Sequence, residues 1–257
     1  MKTRQLPFRI IDLSLPHQNG ASEPYPPKIE HTDHAFGAQR LSKLAGVQAS
    51  DFTDGLALAS DIITGSAHSG THVDAPWHYG PTCEGRPART VDQIPLEWCY
   101  GPGVVLDMRH KTPGDEITVA DCEAALSKIP HRLRPGDIVL IQTGADKYWG
   151  TPDYLAMQSG LGWAATAWIL DQGIRCIGID AWGLDRPAAK MGESYRAGDR
   201  HALWPSHLYG RKREYLQIEK LANLDQLPAP VGFTVCAFPC KFAGCSAGWT
   251  RAVAIVG

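Results

Sequence analysis

A short histidine-rich segment, residues 68–78, constrains the fold more than any other part of the chain. It runs His68-Ser-Gly-Thr-His72-Val-Asp74-Ala-Pro-Trp-His78, so three imidazoles and one carboxylate lie within eleven residues. Glycine, two β-branched residues and a proline together disfavour a helix, so we expect an extended segment with a turn at Gly70. Because side chains alternate along a strand, His72 and Asp74 should point to one side. The glycine would let His68 fold back toward the same point.

The rest of the chain shows short β-branched or apolar runs with a few helical segments between them. The strand-like runs cover residues 8–15, 56–67, 103–108, 137–143, 175–180, 215–221, 233–237 and 250–256. One helix is predicted from Thr118 as N-cap, with Asp121 at the capping-box position, to the residue before Pro130. Another is predicted over about residues 162–172, ending at Gly173, and a shorter one after Asp199. This order predicts an α/β fold with a mixed central β-sheet and helices packed on it.

Length and composition limit the classes of protein that fit. No linker or charge run divides the 257 residues, so we expect one domain over residues 1–257. The formal net charge of -2 lacks the basic excess of a nucleic-acid binder, and the longest apolar runs are too short to cross a bilayer. Seven cysteines without a Cys-x-x-Cys pair indicate reduced thiols and a cytoplasmic location. The expected partner is therefore a small molecule, not nucleic acid or a membrane.

The residue types in segment 68–78 suit a catalytic divalent metal. Two imidazoles and one carboxylate form a three-ligand site with positions open for water and substrate, unlike the closed four-ligand structural type. Mixed nitrogen and oxygen donors suit Zn²⁺, Mn²⁺ or Fe²⁺, and such an ion activates water and polarises a carbonyl. His78 is not needed as a ligand. Since an imidazole titrates near neutrality, we predict that His78 transfers the proton.

The full pattern, His-x-Gly-Thr-His-x-Asp-x-Pro-x-His, resembles the signature of the metal-dependent cyclase-like hydrolases, which include bacterial kynurenine formamidase and isatin hydrolase. The resemblance extends over most of the chain, through residues 11–14, 139–144, 178–182 and 221–224. It implies the swivelling β/β/α fold of that family and a homodimer. It also implies hydrolysis of the amide C–N bond of a small, aromatic substrate, either an N-formyl arylamine or a cyclic amide.

The same resemblance extends the set of ligands and leaves the number of metal ions open. The implied metal ligands are His68, His72, Asp74, His207 and Glu219. Asp74 would bridge the first ion to a second one held by the last two residues. The glutamate favours this two-metal arrangement, whereas the chain length and Trp77 resemble the isatin-hydrolase branch, which uses one metal. One or two ions of Zn²⁺ or Mn²⁺ per chain therefore remain the expected cofactor.

Aromatic residues near the motif favour a flat substrate. Trp77 lies inside the motif, and Tyr25 and Phe52 lie in earlier loops. Such rings can form the wall of a pocket for an aromatic ligand, so we predict substrate contacts from these three. Arg186 or Arg40 could meet a substrate carboxylate, although solvation at the surface is the favoured interpretation of each.

Three alternatives compete with this interpretation. Residues 244–248, Gly-Cys-Ser-Ala-Gly, match the nucleophile elbow of serine hydrolases, which requires a following helix and later Asp and His residues. A strand is predicted there instead, and neither residue occurs in the last nine positions, so the elbow is rejected. A lactone or ester hydrolase with the same metal site stays open. A non-catalytic metal- or ligand-binding protein also stays open, and it would have a closed coordination shell and no need for His78.

Overall fold

The computed structural model of the protein describes residues 7–19 and 22–257. The strands are β1 (Arg9–Asp12), β2 (Lys28–Thr32), β3 (Ser60–Thr64), β4 (His72–Asp74), β5 (Thr82–Cys83), β6 (Arg86–Pro87), β7 (Tyr100–Asp107), β8 (Glu116–Ile117), β9 (Ile138–Gln142), β10 (Gly160–Leu161), β11 (Cys176–Ile179), β12 (Leu216–Glu219), β13 (Phe233–Cys236), β14 (Ala247–Trp249) and β15 (Val253–Val256). The helices are α1 (His34–Ala45), α2 (Pro76–Tyr79), α3 (Val119–Leu126), α4 (Trp163–Asp171), α5 (Ala188–Arg196) and α6 (Pro205–Tyr209). The predicted α/β fold with a mixed central sheet is confirmed.

In the described residues, nine strands form the central sheet in the order β1-β15-β13-β7-β9-β11-β12-β4-β14. Strands β7, β9, β11 and β12 are parallel neighbours, and the remaining pairs are antiparallel. Parallel neighbours need a crossover, and helices α3 and α4 lie in the first two of these connections. An antiparallel bridge joins Ser14, just beyond β1, to Leu221, just beyond β12. Since these strands are far apart in the sheet order, the sheet must curl.

The parallel strands are buried on both faces, as is usual for parallel strands joined by crossover connections. Along β7, Val104 and Leu106 belong to one hydrophobic core, where they pack with Ile169 of α4. The residue between them, Val105, belongs to a second core together with Val73 of β4. The sheet therefore separates two cores, and β4 lies beside the second.

Each of the eight predicted strand runs overlaps an observed strand, and the capping box at Thr118 is present at the start of α3. The short helix expected after Asp199 is found as α6. The elements that are not predicted are helices α1, α2 and α5 and strands β2, β5, β6, β8, β10 and β14. The buried residues of α1 are only Gly37, Ala38 and Ser42, so the helix has no apolar stripe to signal it. Strand β14 begins where an elbow would need a helix, which agrees with the rejection of a serine nucleophile.

The cysteines and helices add two further results. All seven cysteines are free, as expected for reduced thiols. Within residues 7–19 and 22–257, no helix is both long and apolar enough to cross a membrane.

Candidate metal centre

The short strand β4 holds two of the predicted ligands in the middle of a three-stranded group. His72 and Asp74 are fully buried, and alternation along the strand turns both to the same face. Strand β12 pairs with β4 in a register that places Glu219 directly opposite His72. Cross-strand partners share a face, and the Nε2 atom of His72 lies 3.5 Å from the Oε2 atom of Glu219. The pairing of two strands therefore assembles three of the five predicted ligands.

The turn predicted at Gly70 is present and brings in His68. Gly70 has a φ of 55°, in the left-handed region, and a Cβ at this position would come within 2.8 Å of three atoms of the His17 ring. Both conditions require glycine. Beyond the turn, the Nδ1 atom of His68 lies 2.8 Å from the Oδ1 atom of Asp74, and His72 Nε2 lies 3.1 Å from the same oxygen.

Helix α6 supplies the remaining ligand candidate. The Nε2 atom of His207 lies 3.4 Å from Glu219 Oε1 and 3.8 Å from Asp74 Oδ2. The structure thus brings all five sequence-predicted ligands to one point. It also supplies a residue that the sequence analysis missed, since the Asp185 carboxylate bonds to His207 Nδ1.

Outer hydrogen bonds fix which nitrogen of each imidazole faces the centre. His72 Nδ1 contacts the Gly70 carbonyl at 2.9 Å, so it must carry the proton and leave the Nε2 lone pair facing inward. The Asp185 carboxylate imposes the same tautomer on His207. The Nε2 atom of His68 lies 2.9 Å from the Ser246 hydroxyl, and its Nδ1 atom faces Asp74. Such outer partners are typical of histidines that ligate metals.

Several inward-facing atoms have no hydrogen-bond partner although they are buried. They are His72 Nε2, both carboxylate oxygens of Asp74, and Glu219 Oε1. Buried polar atoms without partners are costly, and a shared cation would satisfy all four. Ligand atoms of His72, Asp74 and Glu219 lie within 4.8 Å of one another, as do those of His68, Asp74 and His78. The donor set therefore fits one or two divalent ions.

The ionisable groups of the centre lie close enough together to shift one another's pKa values. Burial alone would raise the pKa of Asp74, but the charges of His78, His72 and His68 hold it well below the usual range. Burial raises the pKa of Glu219 to about 8, and the Asp74 carboxylate adds to this shift. Burial opposes protonation of His207, yet Asp185 and the other carboxylates raise its pKa to about 9. Without a metal, Glu219 and His207 therefore both bind protons near pH 7.

His78 is positioned differently from the other histidines. It lies in the short helix α2, its side chain is one-third exposed, and its Nε2 atom is 4.0 Å from Asp74 Oδ2. Burial and the neighbouring histidines lower its pKa to about 4, although Asp74 acts in the opposite direction. A neutral imidazole at the edge of the cluster can accept a proton, which suits the predicted role.

A cavity of about 400 Å³ opens onto this cluster. It is lined by four of the histidines and by Glu219, together with Tyr25, Trp182, Trp204, Arg186 and Arg211. Of the predicted substrate contacts, only Tyr25 lines it. Trp77 lies on α2 with its side chain turned out to solvent, 44% exposed, and half-buried Phe52 lies in a loop elsewhere. Arg186 lines the cavity and Arg40 does not.

Three of the residues that the sequence analysis did not assign to the site share one position in the topology. Trp182, Gly183 and Asp185 follow the carboxyl end of β11, where loops of a parallel sheet commonly form binding sites. A Cβ at Gly183 would lie 3.0 Å from Glu219 Oε1, so the glycine leaves room for the Glu219 carboxylate. The signals in the sequence were the predicted strand at residues 175–180 and the block at residues 178–182 that resembles the family.

Comparisons with known proteins identify the family and the fold. The Cyclase family model, described as "Putative cyclase", matches residues 11–186. Isatin hydrolase from Roseibium aggregatum is 26% identical over 227 residues, which cover 79% of this chain and 77% of that protein. The structure of isatin hydrolase A from Ralstonia solanacearum superposes with a TM-score of 0.78 at 24% identity, covering 97% of this chain and 92% of that chain. An isatin hydrolase bound to the product analogue thioisatinate gives a TM-score of 0.71 at 22% identity, with the same coverage.

The two structural matches extend over nearly the whole chain and confirm the cyclase-like fold. The family model covers more than half of the residues and includes the segment from His68 to His78. The chain therefore belongs to the Cyclase family.

Proposed function

We propose that this protein uses a divalent metal to hydrolyse the amide C–N bond of a small aromatic substrate. One observation carries the proposal: unpaired donor atoms of His72, Asp74 and Glu219 lie within 4.8 Å of one another, and His72, Glu219 and His78 line the adjacent cavity. A purely structural metal would be closed off by its ligands. Here the cavity leaves space next to the cluster for water and substrate.

The proposed ligands of the metal are His68, His72, Asp74, His207 and Glu219. When bound there, a divalent ion supplies polarisation of the substrate carbonyl and lowers the pKa of water to about 7. Glu219 and Asp74 belong to the same cluster, with His207 Nε2 within 3.8 Å of an oxygen of each. If two ions were bound, Asp74 would be the ligand that they share, as the family resemblance implies, and the same donors would also hold a single ion.

His78 is proposed to move the proton. Its pKa of about 4 leaves the ring neutral near pH 7, so its nitrogen can accept a proton from the attacking water. The same nitrogen then returns the proton to the departing amine nitrogen. Transfer by a positioned imidazole contributes about 10²- to 10⁴-fold to a rate.

The substrate class is inferred from the cavity and the relatives. Tyr25, Trp182 and Trp204 line the cavity and offer ring faces for a flat aromatic molecule. Amide hydrolysis produces a carboxylate, and Arg186 and Arg211 line the same space. The relatives are named for isatin, an aromatic cyclic amide. We therefore propose a cyclic amide first and an N-formyl arylamine second.

The test is hydrolysis by the full-length protein loaded with Zn²⁺ or Mn²⁺. Isatin, formanilide and the lactone phthalide represent a cyclic amide, a formyl arylamide and an ester. We expect amide hydrolysis that a chelator removes and added metal restores. Hydrolysis of phthalide alone would contradict the amide assignment. A metal-loaded protein inactive on all three would favour a binding protein.

Two variants separate loss of the metal from general damage. His72→Ala should lose both metal and activity, because the buried Nε2 atom faces the cluster. His110→Ala removes an exposed imidazole and should keep both. The homodimer implied by the family resemblance can be tested by light scattering on the same samples.

A further inference from the structure

Residues 22–27 form a segment along one wall of the cavity, which we call the 22–27 strap. Pro24 and Tyr25 of the strap line the cavity. The Ser22 hydroxyl accepts a hydrogen bond from the Gly150 amide at 3.0 Å. The Tyr25 carbonyl accepts one from the Ser69 hydroxyl at 3.3 Å. Hydrogen bonds therefore hold the strap at Ser22 and at Tyr25.

Between these two ties, the strap contributes half of a buried ion pair. The ammonium of Lys220 lies 2.9 Å from Glu23 Oε2, and each side chain is only 3% exposed. Lys220 directly follows Glu219 and has a φ of 58°, in the left-handed region that non-glycine residues rarely adopt. Burying two charges is costly unless each is paired and hydrogen-bonded. The contact between the two charges alone therefore does not account for their burial.

Both members of the pair also bond to the turn that carries the metal ligands. The Lys220 ammonium donates to the His68 carbonyl at 2.5 Å. The free oxygen of Glu23, Oε1, accepts from the Gly70 amide at 2.7 Å. These two hydrogen bonds fix the backbone of the turn at His68 and at Gly70. The pair therefore holds the backbone that aims the His68 imidazole at Asp74.

We infer that the Glu23–Lys220 pair positions His68 and couples the 22–27 strap to the metal centre. Neither side chain is a proposed metal ligand, so the pair acts through the backbone of the turn. This inference rests on the proposed metal site and adds to it the residues that set its geometry. It predicts that loss of the pair changes metal binding as well as folding.

The test uses Co²⁺ added to the full-length protein after chelation, with affinity and the visible Co²⁺ spectrum as readouts. Lys220→Met removes the bond to the His68 carbonyl. We expect it to weaken Co²⁺ affinity by about 10- to 100-fold, the range for partners that orient ligands, and to change the spectrum. Lys147→Met is the matched control, because Lys147 pairs with Asp225 at 3.0 Å on the exposed surface. It should leave both readouts unchanged.

Since Lys220→Met alone leaves Glu23 as an unpaired buried charge, the double variant Glu23→Gln/Lys220→Met separates positioning from stability. Removing both charges should restore thermal stability and leave Co²⁺ affinity and spectrum altered. A double variant with wild-type affinity and spectrum would overturn the inference, because the pair would then serve folding only. A wild-type protein that binds no Co²⁺ would instead overturn the proposed function.

Discussion

A substitution at Asp185 would disturb the proposed metal ligand His207 without changing His207 itself. The carboxylate accepts from the Ser206 amide at 2.7 Å and bonds to His207 Nδ1. In Asp185→Asn, the amide oxygen can keep the bond to Ser206, which turns the NH₂ group toward His207. An NH₂ group donates, so the imidazole must place its own proton on Nε2. That proton would point at Glu219 and block the lone pair required for the metal.

The size of the effect follows from this change of tautomer. Loss of a partner that orients a metal ligand typically weakens affinity about 10- to 100-fold, which is about 1.4–2.8 kcal/mol. The variant should also lose the charge that raises the pKa of His207 to about 9. Metal binding by the variant should therefore depend less on pH above neutrality, because the His207 ring is already neutral there and metal binding no longer displaces a titratable proton from it.

The assay is competitive titration of Zn²⁺ into chelated protein, with thermal unfolding measured in parallel. A second buried pair provides the control: Asp137 is 2% exposed and lies 2.7 Å from His131 Nε2, away from the cluster. Asp137→Asn should cost stability and leave Zn²⁺ affinity unchanged. Equal Zn²⁺ affinity in Asp185→Asn and wild-type protein would refute the tautomer argument.

Three further predictions follow from the same geometry. His78→Ala should keep its metal and lose about 10²- to 10⁴-fold in turnover, whereas unchanged turnover would remove its assigned role. In the apoprotein, His207 (pKa about 9) and Glu219 (pKa about 8) hold protons that the unfolded chain releases, so the unfolding temperature should fall from pH 6.5 to 9. Bound metal should remove this decline. An unfolding temperature of the apoprotein that does not change with pH would contradict the raised pKa values. Gly70→Ala should lower both stability and metal affinity, because the added Cβ would meet the His17 ring. Gly46→Ala is the control, since Gly46 has a similar φ and open space around it. It should lower stability by roughly 1–2 kcal/mol and keep the metal affinity.

The local part of the site could be predicted because it depends on short-range geometry. Alternation along a strand places His72 and Asp74 together, and a positive φ at Gly70 returns His68. Alternation does not extend to Trp77, because Pro76 starts the helical turn α2. The indole is 44% exposed and does not line the cavity, so its contact with the substrate stays a prediction.

The long-range part could not be predicted from the residues alone. Glu219 faces His72 only because β12 pairs with β4 in one particular register, and a slip of one residue would turn it to the opposite face. Asp185 and the pair of Glu23 with Lys220 depend on loops brought together by the curled sheet. No spacing in the sequence encodes such contacts. The family resemblance supplied His207 and Glu219 without their geometry.

The most direct test of the central claim is the metal content per chain, measured by elemental analysis on gently purified protein. Wild-type protein should contain one or two equivalents of a divalent ion, with the number deciding between a single and a bridged site. His72→Ala should contain close to none. A wild-type value near zero that added Zn²⁺ or Mn²⁺ could not raise would contradict the account, since the cluster would then be structural.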